Sequence, residues 1–144
     1  MNIYDSITKW LSDNYLTQTD TDWINFNAMK NEINNTSVMS ENVGIETIVY
    51  NDGSRRVTLP FQVSMVKAYD TEMSDTNMYE MSEAMEFINW IRTQNDIANY
   101  PDLGDEKYVE ELLVENEVPE FLVSTDGTLA NYVVNCKIIY LVEK

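Results

Sequence analysis

The segment "IETIVYNDGSRRVTLPFQVSM", residues 45–65, decides the fold of this chain. It begins with a β-branched run, which favours a strand, and continues after "NDGS" with a longer alternating run. An Asp-Gly pair between two such runs is a strong hairpin signal, because both positions tolerate positive φ. We therefore predict two antiparallel strands that meet at Asp52-Gly53.

Apolar and polar side chains alternate along the second of these strands. One face carries Val57, Leu59, Phe61, Val63 and Met65. The other face carries Arg56, Thr58, Gln62 and Ser64. This pattern predicts a strand that is buried on one face and wet on the other. Pro60 lies on the wet face and has no N–H to donate, so we expect an edge or a bulge there.

Two amphipathic helices are predicted on either side of this hairpin. The first runs from about Ile3 to Asn14, where apolar residues recur at helical spacing. The second ends near "QND", residues 94–96, with Asp75 or Thr76 as its N-cap. Its apolar stripe comprises Met78, Met81, Met85, Ile88 and Ile91, broadened by Ala84, Phe87 and Trp90. We interpret the stripe as a core face, and a Met-rich partner groove is the alternative.

Further strands are predicted within residues 23–29, 107–116 and 118–123, with a helical turn as the alternative for residues 107–116. A polar loop with a short extended piece is predicted within residues 30–44. The last strand, "LANYVVNCKIIYLVE", follows a second Asp-Gly turn and alternates strictly through Cys136, which we expect to be a buried, inert thiol. The order of elements predicts one α+β domain over residues 1–144. Its mainly antiparallel sheet carries both helices on one face.

The composition narrows the range of functions. The net charge of −16 repels phosphate backbones and anionic membranes, so we expect neither nucleic-acid wrapping nor a membrane partner. The absence of histidine removes the commonest general base and most zinc sites. Residues 68–81 are rich in carboxylates but lack the central glycine and the ligand spacing of a calcium-binding loop. We interpret them as a connector and helix cap, and a weak cation site is the alternative. We predict no cofactor and no metal site, and a cytoplasmic chain without a secretion signal.

Several segments in this order resemble a family of small proteins from tailed phages and prophages of Gram-positive bacteria. They are "IYDSITKWLSDN", "WINFN", "FQVSMVKAY", "SDTNMYEMSEAMEFINWIRTQN" and "NYVVNCKIIYLVEK". This family is usually described as minor capsid proteins, and its position between head and tail genes suggests tail terminators or tail completion proteins. The resemblance implies a structural virion protein with no reaction to catalyse. It also implies a hexameric ring that caps the tail tube, contacts the head connector and lets duplex DNA pass.

The sequence supplies candidate residues for such a ring. Arg55 and Arg56 follow the predicted turn, where they pair with an acidic patch on a neighbouring subunit or remain solvated; with Pro60 they form the candidate subunit interface. Strands such as Val57–Met65 are expected to leave open sheet edges for assembly. The candidate acidic lining of the DNA channel is Asp70, Glu72, Asp75, Asp102, Asp105 and Glu106.

Two other functions remain open at this point. An acidic protein that mimics DNA would block a host nucleic-acid-processing or defence protein, and it would array its carboxylates at phosphate spacing on one face. An enzyme would have to use carboxylates with a Lys or Tyr, since the chain has no histidine. We favour the virion protein over both.

Overall fold

The structure, a computed structural model, describes residues 2–15, 24–26, 35–41, 44–69, 74–124 and 127–143. Its two helices are α1 (Ile3–Asn14) and α2 (Ser74–Asp96). The seven strands of its one sheet are β1 (Ile24–Phe26), β2 (Asn35–Ser40), β3 (Glu46–Val49), β4 (Arg55–Ala68), β5 (Lys107–Val114), β6 (Glu120–Val123) and β7 (Leu129–Val142). Of the predicted polar loop at residues 30–44, residues 30–34 and 42–43 lie outside the described residues, and the short extended piece predicted within it is β2.

The two long strands β4 and β7 form the centre of the sheet. They pair antiparallel over their whole length, from Arg55 opposite Val142 to Ala68 opposite Leu129. β2 and β3 both pair with the other side of β4, and β5 and β6 both pair with the other side of β7. These pairs are antiparallel, whereas β1 pairs with β2 in parallel. The predicted α+β class with a mainly antiparallel sheet is confirmed.

Both helices pack on the face of the sheet that carries the odd-numbered residues of β4. The apolar residues predicted for this face of β4, Val57 to Met65, are buried, as are the alternating residues of β7. They form one cluster with α1 and α2, and the helices contact each other through aromatic rings. The ring of Phe87 lies 4.9 Å from Tyr15 and 6.2 Å from Trp90, and Trp10 lies 5.2 Å from Trp90. The opposite face is polar but partly covered, since Ser37, Ser64 and Val66 are also buried there.

The predicted hairpin joins β3 to β4 through a tight turn. The N–H of Gly53 donates to the carbonyl of Tyr50, and the N–H of Tyr50 donates to the carbonyl of Ser54. Gly53 has φ 90° and Asp52 is not in the positive-φ region. The glycine alone therefore supplies the left-handed residue that a three-residue hairpin loop requires.

Pro60 corrects the prediction that this part of β4 is an outer edge. β4 has partners on both sides. On one side it pairs with β7, where Lys137 lies opposite Pro60, and on the other side β2 and β3 follow each other along it in one line. That line is interrupted between Ser40 opposite Phe61 and Glu46 opposite Thr58, so Pro60 faces the interruption. A residue without an N–H is tolerated there because neither β2 nor β3 has a residue paired with it.

α2 also departs from the prediction at its start and on its surface. It begins at Ser74, so Asp75 and Thr76 lie in its first turn rather than at its N-cap. Ala84, Phe87, Ile88 and Ile91 are buried as expected. Met78 and Met85 are exposed, because the core face of α2 is narrower than the apolar stripe in its sequence.

Candidate functional site

The two arginines at the hairpin have different surroundings. Arg55 is exposed, and within the described part of the chain no ion pair engages it. Arg56 is half-buried, and its Nε lies 3.3 Å from Oε1 of Glu110 on β5. Arg56 thus reaches across β7 to an acid of its own chain, and only Arg55 remains available for a partner's carboxylate.

A bulge in β5 places Glu110 within reach of Arg56. The register with β7 shifts between Val109 and Glu111, so Glu110 is the extra residue. The backbone carbonyl of Glu110 accepts from the Tyr100 hydroxyl at 3.2 Å, and the N–H of Leu112 donates to Oδ1 of Asn95 at 2.9 Å. These side chains cap backbone groups of β5, so this edge of the sheet is partly closed.

Pro60, the third predicted interface residue, is buried in the centre of the sheet. Its carbonyl oxygen lies 3.4 Å from the Tyr4 hydroxyl, which donates to it from α1. Its side chain therefore presents no surface to a neighbouring subunit.

The predicted channel residues fall into two groups. Asp70 and Glu72 lie outside the described residues, and Asp75 is in the first turn of α2. Asp102, Asp105 and Glu106 are exposed in the loop that follows the other end of α2. A helix of 23 residues is about 34 Å long, so Asp75 and the 102–106 loop are far apart. The structure therefore does not bring the two groups together within one subunit.

Two hydrogen bonds to backbone groups hold the 102–106 loop in place. Oδ1 of Asp102 accepts the N–H of Gly104 at 2.9 Å, and the carbonyl of Glu106 accepts the N–H of Glu143 at 2.8 Å. Glu106 has φ 65°, an uncommon conformation for a residue with a side chain. The loop thus holds three exposed acidic residues next to the end of β7.

Exposed apolar side chains of the described residues are concentrated on β3 and β6, two strands that were not predicted as interface elements. All four residues of each strand are exposed. Ile48 is 52% and Val49 66% exposed, and Phe121 is 47% and Leu122 73% exposed. β3 pairs with the Arg55 end of β4, at one lateral edge of the sheet. β6 lies at the opposite lateral edge, where it pairs with residues near the Leu129 end of β7. An apolar run such as "EFLV" usually indicates a strand covered on both faces, so its composition pointed away from an exposed edge.

A cluster of ionisable groups joins α2 to the end of β4. The ammonium group of buried Lys67 lies 3.0 Å from Oε2 of Glu83. Burial raises the pKa of the Glu80 carboxyl, an effect that the nearby charge of Lys67 opposes and that of Glu83 reinforces. Burial also raises the pKa of the Tyr132 phenol, and Glu80 adds to this effect. The cluster thus places an amine, two carboxylates and a phenol together at the junction of α2 and the sheet.

A surface cleft of about 610 Å³ lies between α1 and residues 99–104. Its lining includes Lys9, Trp10 and Asp13 from α1 and Tyr100 and Asp102 from the loop. Each side of the cleft thus contributes one aromatic ring and several polar side chains, and the cleft shares no lining residue with the Lys67 cluster.

Cys136 and the acidic side chains carry the remaining chemistry among the described residues. Cys136 is buried, and burial strongly raises the pKa of its thiol, so it is a poor nucleophile. Within those ranges, no group of three or more Cys, Asp or Glu side chains is placed to hold a metal ion. None of the helices in the described part of the chain is long and apolar enough to cross a membrane.

Comparisons with protein-family models and with curated proteins found no match for this chain.

Proposed function

We propose that this chain is a structural virion protein of a tailed phage, a tail terminator or tail completion protein. Copies of it close into a ring, about six in number by resemblance, that caps the tail tube and joins it to the head connector. The observation that carries the proposal is the pair of exposed apolar strands, β3 and β6, on opposite sides of the sheet. A ring subunit needs two different contact surfaces, one for each neighbour.

Edge strands normally carry features that prevent pairing with another chain. Charged residues, prolines, bulges or covering side chains serve this purpose. β5 has a bulge and the caps from Asn95 and Tyr100, whereas Ile48, Val49 and Leu122 leave β3 and β6 apolar and open. Two unprotected edges are consistent with a subunit whose purpose is to assemble.

The charge supports the same function. A net charge of −16 on each copy repels duplex DNA from the lumen of a ring, so that DNA passes without binding. We assign the lumen to one of the two acidic groups, because Asp75 and the 102–106 loop lie at opposite ends of α2. The exposed loop with Asp102, Asp105 and Glu106 is the better candidate.

The test is the length of tail tubes assembled in its presence. Tube protein from the encoding phage is polymerised with increasing amounts of this protein, and tube lengths are measured by negative-stain microscopy. The proposal expects shorter tubes with a cap at one end. Unchanged tube lengths together with tight binding to a DNA-processing enzyme would instead identify a DNA mimic.

A further inference from the structure

The outward backbone groups of β3 follow from its turn. Because the N–H of Tyr50 donates to Ser54, residues 50 and 54 form a hydrogen-bonded pair at the end of the ladder. Such pairs alternate along antiparallel strands, so Ile48 is also bonded to β4, while Thr47 and Val49 direct their N–H and C=O groups outward. Among the described residues, no hydrogen bond engages these outward groups.

The same reasoning applies to β6 at the opposite side of the sheet. The N–H of Ser124 donates to the carbonyl of Leu129, so residues 124 and 129 form the last hydrogen-bonded pair. Leu122 is then bonded to β7, while Phe121 and Val123 direct their N–H and C=O groups outward. β3 and β6 therefore each present two residues, spaced two apart, with backbone groups directed at an additional strand.

We propose that β3 of one copy pairs antiparallel with β6 of the next copy. The inference rests on the proposed function and specifies the contact between subunits of that ring. Three residue pairs face each other across it: Thr47 with Val123, Ile48 with Leu122, and Val49 with Phe121. In the chain itself β3 and β6 already run in opposite directions, so the contact repeats without turning a subunit over.

This register satisfies the backbone and the side chains together. It sets both outward residues of β3 opposite both outward residues of β6, so each pair exchanges two N–H···O bonds. Ile48 and Leu122 lie on the polar face of the sheet, opposite Arg56 and Asn131 in their own subunits. In this register they face each other there. A slip of one residue would mismatch the backbone groups and place every side chain on the wrong face.

Coverage of both apolar edges favours this heterologous contact over a twofold pairing of identical edges. The contact sets Glu120 opposite Tyr50, next to the turn that leads into Arg55 and Arg56. A twofold pair would leave the other apolar edge of each copy uncovered, whereas the heterologous contact covers both.

Cysteine cross-linking tests this register. Ile48 and Leu122 would form a pair without backbone hydrogen bonds, with Cα atoms about 4.5 Å apart, which suits a disulfide. The variants Ile48→Cys and Leu122→Cys are mixed under mild oxidation, and the products are separated by denaturing gel electrophoresis without reductant. Met85→Cys, an exposed position on α2, mixed with Ile48→Cys is the matched control for random collision. The native Cys136 is buried and remains in all variants.

The expected result is a covalent dimer as the main product of the mixture, absent from each variant alone and from the control. The double variant Ile48→Cys/Leu122→Cys should give a ladder of covalent oligomers. A dimer from Ile48→Cys alone would overturn the inference in favour of a twofold β3 contact. Rings of the parent protein in micrographs with no specific cross-link would overturn this contact and leave the proposed function standing. A parent protein that forms no rings, either alone or with the tail-tube protein, and gives no cross-link in any mixture would overturn both.

Discussion

Replacing Phe87 by Ala tests the packing of α2 against α1 and the sheet. The Phe87 ring is fully buried and lies against two other rings, 4.9 Å from Tyr15 and 6.2 Å from Trp90. Replacement by Ala removes buried apolar surface on the order of 100 Å², which corresponds to a loss of about 2.5 kcal/mol in the free energy of unfolding. Each lost aromatic pair adds roughly 0.5–1.5 kcal/mol. The rigid neighbouring rings cannot refill the space, so we expect a loss of about 4 kcal/mol.

The free energy of unfolding is measured by urea denaturation, followed by tryptophan fluorescence and circular dichroism. The same loss should lower Tm by roughly 15 °C for a chain of this length. Met85→Ala is the matched control, since Met85 lies on the same helix but is exposed, and we expect it to cost less than about 1 kcal/mol. Equal losses for the two variants, or a loss below about 1.5 kcal/mol for Phe87→Ala, would refute the packing of α2 derived from this structure.

Three further predictions concern polar and reactive groups. Folding raises the pKa of the Glu80 carboxyl, so the fold loses stability as pH rises through that pKa and Glu80 becomes ionised. Glu80→Gln should therefore stabilise the fold at pH 7 and have no effect at about pH 4. Asn95→Ala should cost about 1–3 kcal/mol in urea unfolding, because it leaves the N–H of Leu112 unpaired beside a buried side chain. The thiol of Cys136 should be unreactive towards a disulfide reagent in the native protein and react fully in denaturant.

Controls and contrary results for these three are direct. Equal stabilisation by Glu80→Gln at both pH values would show that its effect is not electrostatic. Asn89→Ala, at an exposed position of the same helix, should change stability by less than about 0.5 kcal/mol. A loss for Asn95→Ala as small as this would show that Asn95 does not act as a cap. Rapid labelling of Cys136 in the native state would contradict its burial in β7.

Local patterns predicted the elements of this fold well. Helical spacing located α1 at its observed bounds, and alternation identified the buried faces of β4 and β7. The Asp-Gly signal at residues 52–53 located the β3–β4 hairpin. These features depend on residues close in the chain, which is why one sequence suffices to find them.

The position of each strand within the sheet was not predictable in the same way. Alternation reports which face of a strand is buried and says nothing of which strands lie beside it. β4 was therefore expected to leave an open edge, yet it is central, and the exposed apolar edges found among the described residues are β3 and β6. The link from Arg56 to Glu110 across β7 depends on a bulge in β5, a long-range feature with no local signal. The exposure of Met78 and Met85 likewise depends on how far the sheet extends beneath α2.

The central claim is that copies of this protein assemble into a ring through two different edges. The most direct measurement is the mass of the purified protein by light scattering over a range of concentrations, with negative-stain images of each peak. The account predicts a closed species of about six copies with a central hole, which Ile48→Lys and Leu122→Lys each convert to folded monomer. A protein that remains monomeric at every concentration, both alone and with the tail-tube protein, would contradict it.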